Sequence, residues 1–266
     1  QVVGWKDEEY LKILFGSISS KALKKEDCLD LPNISYENVF FKQSKDYKII
    51  KKDRVFNDVI YDTVGKLMAG LRLNGNLKDK IDYLKMLAES TTENIVIFYN
   101  FQAEYDLIRQ ELLKNKIYID FEVRGGSTRI PWKDDFKNIK NTITAVQIQA
   151  GGTGIELTYA SLVIFFSPTW SYQDYEQALG RSHRNGQDKK VTVYKFIVEK
   201  TIDENVYAAL ENKKDFTEKL FLREIENGKV VEAKKEIGGT ESMSDITDET
   251  DVKLEKAEAE LDYMKE

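Results

Sequence analysis

The sequence predicts an α/β fold: a mostly parallel sheet covered by helices on both faces, with a helical N-terminal segment and a C-terminal helix. Three observations predict it. Short runs rich in Val, Ile, Phe and Tyr recur from residue 95 onward. These runs are continuously apolar, as in strands buried on both faces. Segments of helical periodicity separate them, which is the rhythm of βαβ units. At 266 residues the chain has room for one large domain or a domain with appendages.

Taken in order, residues 8–15 read as a helix and residues 36–41 as a strand, after the break at Leu31-Pro32-Asn33. Residues 44–73 read as one long charged helix, with Val55, Val59, Val64, Leu67 and Leu71 among its apolar positions. Asn74-Gly75-Asn76 ends it, and a second helix follows over 77–88. Strands are expected at 95–99, 117–123, 143–149, 162–166 and 191–198. Helices at 102–114, 155–161 and 172–184 supply the crossovers. Ser171 to Asp174 and Thr201 to Glu204 have capping-box spacing and mark two helix starts. The second of these helices is expected to run from Ile202 to about Leu222, roughly 30 Å.

Composition excludes several classes. The single cysteine, Cys28, rules out an internal disulfide framework and a cysteine-based zinc cluster. The single histidine, His183, rules out a multi-histidine metal site, so no metal ligands are assigned. No apolar run approaches the roughly 20 residues of a membrane span, and no signal-peptide pattern opens the chain. The expected setting is reducing and intracellular, cytoplasmic or nuclear. The chain starts without Met inside a helical pattern and is read as part of a longer polypeptide. Residues 229–266 hold six Lys against twelve Asp or Glu, so this tail carries the whole net charge of −6. The remaining body is neutral, which neither supports nor excludes nucleic-acid binding. The acidic, Ser/Thr-rich tail is expected to be flexible.

The most informative run is Gln177-Ala178-Leu179-Gly180-Arg181-Ser182-His183-Arg184-Asn185-Gly186-Gln187. On a continuous helix, with Gln177 at zero, Arg181 falls at about 40° and Arg184 at about −20°. Tyr172, Tyr175 and Leu179 fall near the opposite side. One face can enter a core while the other presents an amide and two guanidiniums. Fixed cations of this kind suit a phosphate or a phosphoryl transition state. A solvated basic face is the commonest fate of an isolated Arg pair, so the reading needs the other motifs. His183 projects to the apolar side and reads as structural.

Those motifs are present in order. Ile95-Val96-Ile97-Phe98-Tyr99-Asn100-Phe101 resembles helicase motif IV of the Swi/Snf-type ATPases in helicase superfamily 2. Residues 149–158, Gln-Ala-Gly-Gly-Thr-Gly-Ile-Glu-Leu-Thr, resemble motif V, and Gln177 to Gln187 resembles motif VI. Thr201-Ile202-Asp203-Glu204 resembles the segment that follows. The resemblance covers roughly residues 76–222 and implies the second RecA-like lobe of a two-lobed motor. No GxxxxGK[ST] phosphate loop occurs in the chain, which fits a lobe that receives ATP and Mg²⁺ mainly from a first lobe.

By this resemblance Arg181 and Arg184 are the arginine fingers, the catalytic residues. Gly152 and Gly154 let backbone approach the nucleotide, Glu156 takes the ribose-facing position, and Gln177 contacts phosphate or relays lobe movement. Glu156 stands where most relatives carry Asn or Asp, and Gln147-Ile148 replace a Ser/Thr pair. Ser127, Thr128 and Arg129 either bind DNA phosphate or close a turn. Arg129 and Lys133 are the cations available where the family carries a further arginine. Trp170 is either a core anchor or a DNA contact.

The implied domains are a mostly helical inter-lobe segment (1–75), the lobe itself (76–200), a bracing helix (201–228) and the acidic tail (229–266). The implied partners are double-stranded DNA and the first lobe of the same polypeptide, with no membrane. The function implied is the C-terminal motor lobe of an ATP-dependent double-stranded-DNA translocase, inactive by itself. Two other readings stand beside it: a strand-separating DNA or RNA helicase lobe of the same superfamily, and a non-catalytic interaction module retaining the fold. The Gly-Gln ending of motif VI favours the translocase. Intact Arg181 and Arg184 argue against a decayed site.

Overall fold

The computed structural model describes residues 31–150, 154–223 and 225. The helix read over 8–15, the tail over 229–266 and residues 151–153 of motif V lie outside them. The chain divides into two compact units, Gln1–Glu218 and Lys219–Glu266. The first unit holds every element that follows.

A seven-stranded sheet has the order β1-β9-β8-β4-β7-β5-β6. Its strands are β1 (Ile34–Phe41), β4 (Ile95–Tyr99), β5 (Phe121–Arg124), β6 (Ser127–Arg129), β7 (Ile143–Gln147), β8 (Leu162–Phe165) and β9 (Val191–Val198). All neighbours run parallel except the β5–β6 hairpin at one edge. The central strand β4, Ile-Val-Ile-Phe-Tyr, is buried at every residue, which explains its lack of polar alternation. The N-terminal segment adds β1 along the full length of β9 at the other edge.

Helices cover both faces. α3 (Leu77–Ser90) and α4 (Gln102–Lys114) lay Ile81, Leu84, Leu87, Ile108 and Leu112 against Ile95, Ile97, Ile164 and Phe196. On the other face Tyr175 of α5 (Tyr172–Ser182) meets Phe165 with ring centroids 4.7 Å apart, and α6 (Ile202–Glu211) packs beside it. Helix starts are capped by side chains: Asn76, Ser171 and Thr201 each accept from a backbone N–H in the first turn. At α4 the cap comes from inside the helix. Buried Glu104 accepts from the backbone N–H of Asn100 (2.9 Å) and Phe101 (3.0 Å).

Four expectations are corrected. The long helix over 44–73 is two helices, α1 (Lys45–Asp53) and α2 (Val64–Leu73), separated by a small hairpin, β2 (Val55–Phe56) and β3 (Val59–Ile60). Arg54 ends α1 in the left-handed region, and Asn57-Asp58 take φ 48° and 62°, the double positive φ of a two-residue hairpin turn. Val55 and Val59 are therefore exposed rather than part of a helical stripe. Tyr61 then returns over α2 at Gly70, where a Cβ would lie 2.1 Å from the ring. Residues 155–161 form no helix; Ile155, Leu157, Tyr159 and Ala160 are all buried in an extended stretch closed by a turn. α6 stops at Glu211, where Asn212 caps it and Lys213 takes φ 57°. The expected strand at 117–123 forms as Phe121–Arg124, since Lys116 takes φ 59° and Asp120 spends its carboxylate on the Ile143 N–H.

One polar cluster sits inside this apolar frame. Asp203 at the start of α6 meets Arg72 Nε of α2 at 3.2 Å and Lys80 Nζ of α3 at 2.9 Å. Arg72 also donates to the Pro168 carbonyl and Lys80 to the Phe166 carbonyl at 3.1 Å. All three side chains are at most 4 % exposed. Two cations thus share one carboxylate away from water. Asp203→Asn is expected to cost about 3–5 kcal/mol, because both cations lose their common counter-charge. Chemical denaturation measures it; a loss under about 1 kcal/mol, the worth of a surface pair, would contradict a buried anchor.

Candidate nucleotide and nucleic-acid interface

α5 is launched by Ser171, whose hydroxyl accepts from Asp174 N at 3.2 Å, and by Asp215, which accepts from Tyr172 N at 2.7 Å. Tyr175, Ala178 and Ser182 bury the inner face. Gln177 and Arg181 stay half-buried on the outer one, and Gly180 between them has open space where a Cβ would sit. The helix ends at Ser182 with His183 as its cap. His183 Nε2 donates to the Pro32 carbonyl at 2.8 Å, so the only histidine closes a helix end.

Arg184 therefore lies beyond the helix, not on its stripe, which corrects the single-face arrangement expected for the two arginines. It is exposed in a turn that Gly186 closes with φ 98°. Gln187 holds that turn. Its N–H donates to the Arg184 carbonyl (3.1 Å), and its amide donates to Ala160 O (2.9 Å) and Ser182 O (3.2 Å). Its amide oxygen accepts from Lys189 N at 3.0 Å. The sequence offered Gln187 only as the end of a motif; here it is the buried pin that presents Arg184.

The segment carrying Glu156 is tied to the same place, since Leu157 N donates to the Arg181 carbonyl at 3.0 Å. Glu156 accepts from Lys133 Nζ at 3.0 Å and from Thr158 Oγ1 at 3.1 Å. Burial pushes its pKa up, yet Lys133, Thr158 and the charge of Arg184 outweigh this and hold it below the ordinary carboxylate range. A Cβ on Gly186 would meet Glu156 Oε1 at 3.6 Å, an ordinary contact, so it is the positive φ that calls for glycine there. Glu156, Lys133, Phe136, Tyr159 and Lys189 line a cleft of about 660 Å³. Gly154 takes φ 67° in open space, and Gly152 lies outside the described residues.

The remaining expected residues separate into three places. Ser127, Thr128 and Arg129 form β6, exposed along the outer edge of the sheet after a Gly125-Gly126 turn. Next to it, Arg124 lies 4.7 Å from the Tyr105 ring centroid, and Tyr105 donates to Glu122. Lys133 leaves this edge and joins Glu156, so a residue assigned to DNA contacts one assigned to nucleotide. Trp170 is clamped: the Arg72 guanidinium lies 3.9 Å above its ring, and Phe216 stacks at 6.0 Å and 25°. Among the described residues no group of His, Cys, Asp and Glu is arranged to hold a metal ion.

A seven-stranded, mostly parallel sheet with helices on both faces is a RecA-like α/β fold, and comparison with known proteins narrows the class. Residues 79–186 match the helicase conserved C-terminal domain. Over 160 residues the chain is 33 % identical to DNA repair protein RAD5 of Debaryomyces hansenii, covering 56 % of this chain and 13 % of that protein. It is 32 % identical over 142 residues to chromatin-remodeling ATPase INO80 of Mycosarcoma maydis, covering 51 % and 7 %. ATP-dependent helicase fft3 of Schizosaccharomyces pombe is 33 % identical over 135 residues, covering 48 % and 14 %. The chain thus spans a small part of each of these relatives. The crystal structure of the C-terminal part of the Fun30 ATPase domain shares the fold, with TM-score 0.50, 19 % identity, 67 % of this chain and 89 % of that one. Over this region the chain resembles the C-terminal lobe of Swi/Snf-type, helicase-like proteins.

The Lys133–Glu156 pair has a readable pH dependence. A carboxylate held below its unfolded pKa stabilises the fold above the ordinary range, and this contribution is lost as pH falls through the lowered value. Wild type is expected to melt slightly higher than Glu156→Gln at neutral pH, with the difference closing as the pH falls below about 4.5. Melting curves across that range check it; a gap that widens in acid would reverse the sign. With Lys133 75 % exposed, the neutral gap is expected to be small.

Proposed function

We propose that this lobe belongs to an intracellular, ATP-dependent double-stranded-DNA translocase and supplies the arginine fingers that act on nucleotide held by a first lobe. The observation that carries the reading is Arg184: exposed, pinned by Gln187 just past the α5 cap, and close enough to Glu156 for its charge to act on that carboxylate. The relatives' names, a chromatin-remodeling ATPase and an ATP-dependent helicase, support ATP as the fuel. DNA repair protein RAD5 supports DNA as the track.

ATP with Mg²⁺, when bound by the first lobe, supplies the phosphoryl group that passes to water. Arg181 and Arg184 would place two guanidiniums where negative charge develops on that group. Glu156, kept ionised, accepts from a ribose hydroxyl once Lys133 yields; Gly152 and Gly154 give the backbone room beside the phosphates. Gln177, one turn before Arg181, contacts phosphate or passes on the lobe's movement. The neutral body gives no long-range pull on nucleic acid, so the grip is local. β6 offers two hydroxyls and Arg129 along an edge free of a further strand among the described residues, a surface for phosphates whatever the base sequence. Lys133 would exchange Glu156 for a phosphate. Trp170, held between Arg72 and Phe216, would meet DNA only by its outer edge.

The test uses the intact two-lobed protein with saturating duplex DNA. Arg181→Ala and Arg184→Ala are expected to slow ATP turnover severely while leaving DNA affinity nearly unchanged. A finger is worth about 10³–10⁵ in kcat in other NTPases, and sharing between two lowers each single effect. Near-normal turnover in the double variant would remove the fingers and leave a basic surface.

A further inference from the structure

Lys195 stands in the middle of β9, where a buried parallel strand ordinarily carries an aliphatic residue. Its side chain is 9 % exposed and its ammonium pairs with Glu211 at 3.0 Å. The same ammonium lies 5.2 Å from the ring centroid of Tyr36 and 5.6 Å from that of Tyr207. Tyr172 and Tyr175 of α5, with Glu176, complete the wall of a pocket of about 250 Å³. Four tyrosines from a strand and two helices thus face one small volume. Aromatic faces attract cations, and the chain's own lysine already sits against two of them.

The two ends of this pocket differ in charge balance. Glu211 is matched by Lys195. No ion pair reaches Glu176 among the described residues; Lys213 stands at the rim and pairs with neither carboxylate. Glu176 nevertheless acts on its neighbours. Burial first, and then its negative charge, raise the pKa of the Tyr36 and Tyr172 phenols, and Tyr172 hydrogen-bonds to it. An unmatched carboxylate beside aromatic faces is half of a cation site.

We infer that this pocket receives an arginine side chain from a partner protein, its guanidinium laid on Tyr36 and Tyr172 and paired with Glu176. At about 250 Å³ the pocket is smaller than the sites of about 300–1,000 Å³ that enclose a nucleotide or other drug-sized ligand, and suits a single side chain. Arginine fits better than lysine because its planar, weakly hydrated group stacks on rings and pairs with a carboxylate together. The inference is independent of the nucleotide and DNA reading, since it involves neither Arg181 nor Arg184.

The test is a titration of the 266-residue chain with N-acetyl-arginine amide, followed by tyrosine fluorescence. The neutral isostere N-acetyl-citrulline amide serves as control. Saturable binding of the arginine probe alone is expected. Tyr36→Ala and Glu176→Gln, both at exposed positions, should each weaken it about tenfold, the scale of a partly desolvated cation–aromatic or ionic contact. Melting temperatures confirm that the variants keep the fold. Equal response to both probes, or arginine binding indifferent to the two substitutions, would overturn the site and leave the rings as the seat of Lys195 alone.

Discussion

The fold depends on a shared buried charge. Asp203 answers Arg72 and Lys80 at once, and the carboxylate comes from a helix more than 120 residues after the two that carry the cations. Each charge alone in an apolar interior would be prohibitive, so the three elements carrying them must meet in one geometry. The cations also reach backbone: Lys80 to the carbonyl of Phe166, Arg72 to that of Pro168. Beside them Asn100 donates to Ser167 and Pro168, and Ser167 donates to Glu104, the cap of α4. The exits of the two central strands are thereby fixed. The chain then runs through clamped Trp170 to Ser171 and into α5, so the direction of the arginine helix follows from the cluster upstream.

How far the sequence disclosed this varies with the physics. β4, α4 and β9 match expectation to the residue, because a fully apolar strand and an amphipathic helix bounded by breakers admit one reading. The hairpin over 55–60 was hidden. Asn57-Asp58 lacks the glycine that usually announces such a turn, and its valines fall at helical spacing. Residues 155–161 read as helical because Ile155, Leu157, Tyr159 and Ala160 are apolar and closely spaced, yet they are buried in an extended stretch. Periodicity cannot distinguish a buried coil from a helix there.

The candidate site was legible as an order of motifs but not as a geometry. Arg181, Arg184, Glu156 and Gln177 stand out as candidates from their runs, while the end of α5 at Ser182 does not, since Arg184 continues the helical spacing beyond a cap set by tertiary contacts. Gln187 was invisible as a working part because its side chain is held by the Ala160 carbonyl, 27 positions earlier. The Lys133–Glu156 contact, and the tyrosines around Lys195, likewise join segments that sequence spacing does not relate. A charged residue inside an apolar strand, such as Lys195, was the available signal for the last of these.

Shared fold alone does not transfer activity, so the account rests on what Arg181 and Arg184 do. Its central claim is that they recognise charge present in the transition state and largely absent from bound ATP. The most direct measurement compares, in the intact two-lobed protein with duplex DNA, the affinity for ADP with aluminium fluoride, which mimics the transferring phosphoryl group, against that for a non-hydrolysable ATP analogue. The account predicts that removing both arginines weakens the transition-state mimic far more than the ground-state analogue. Equal loss for both ligands, or no loss for the mimic, would contradict it.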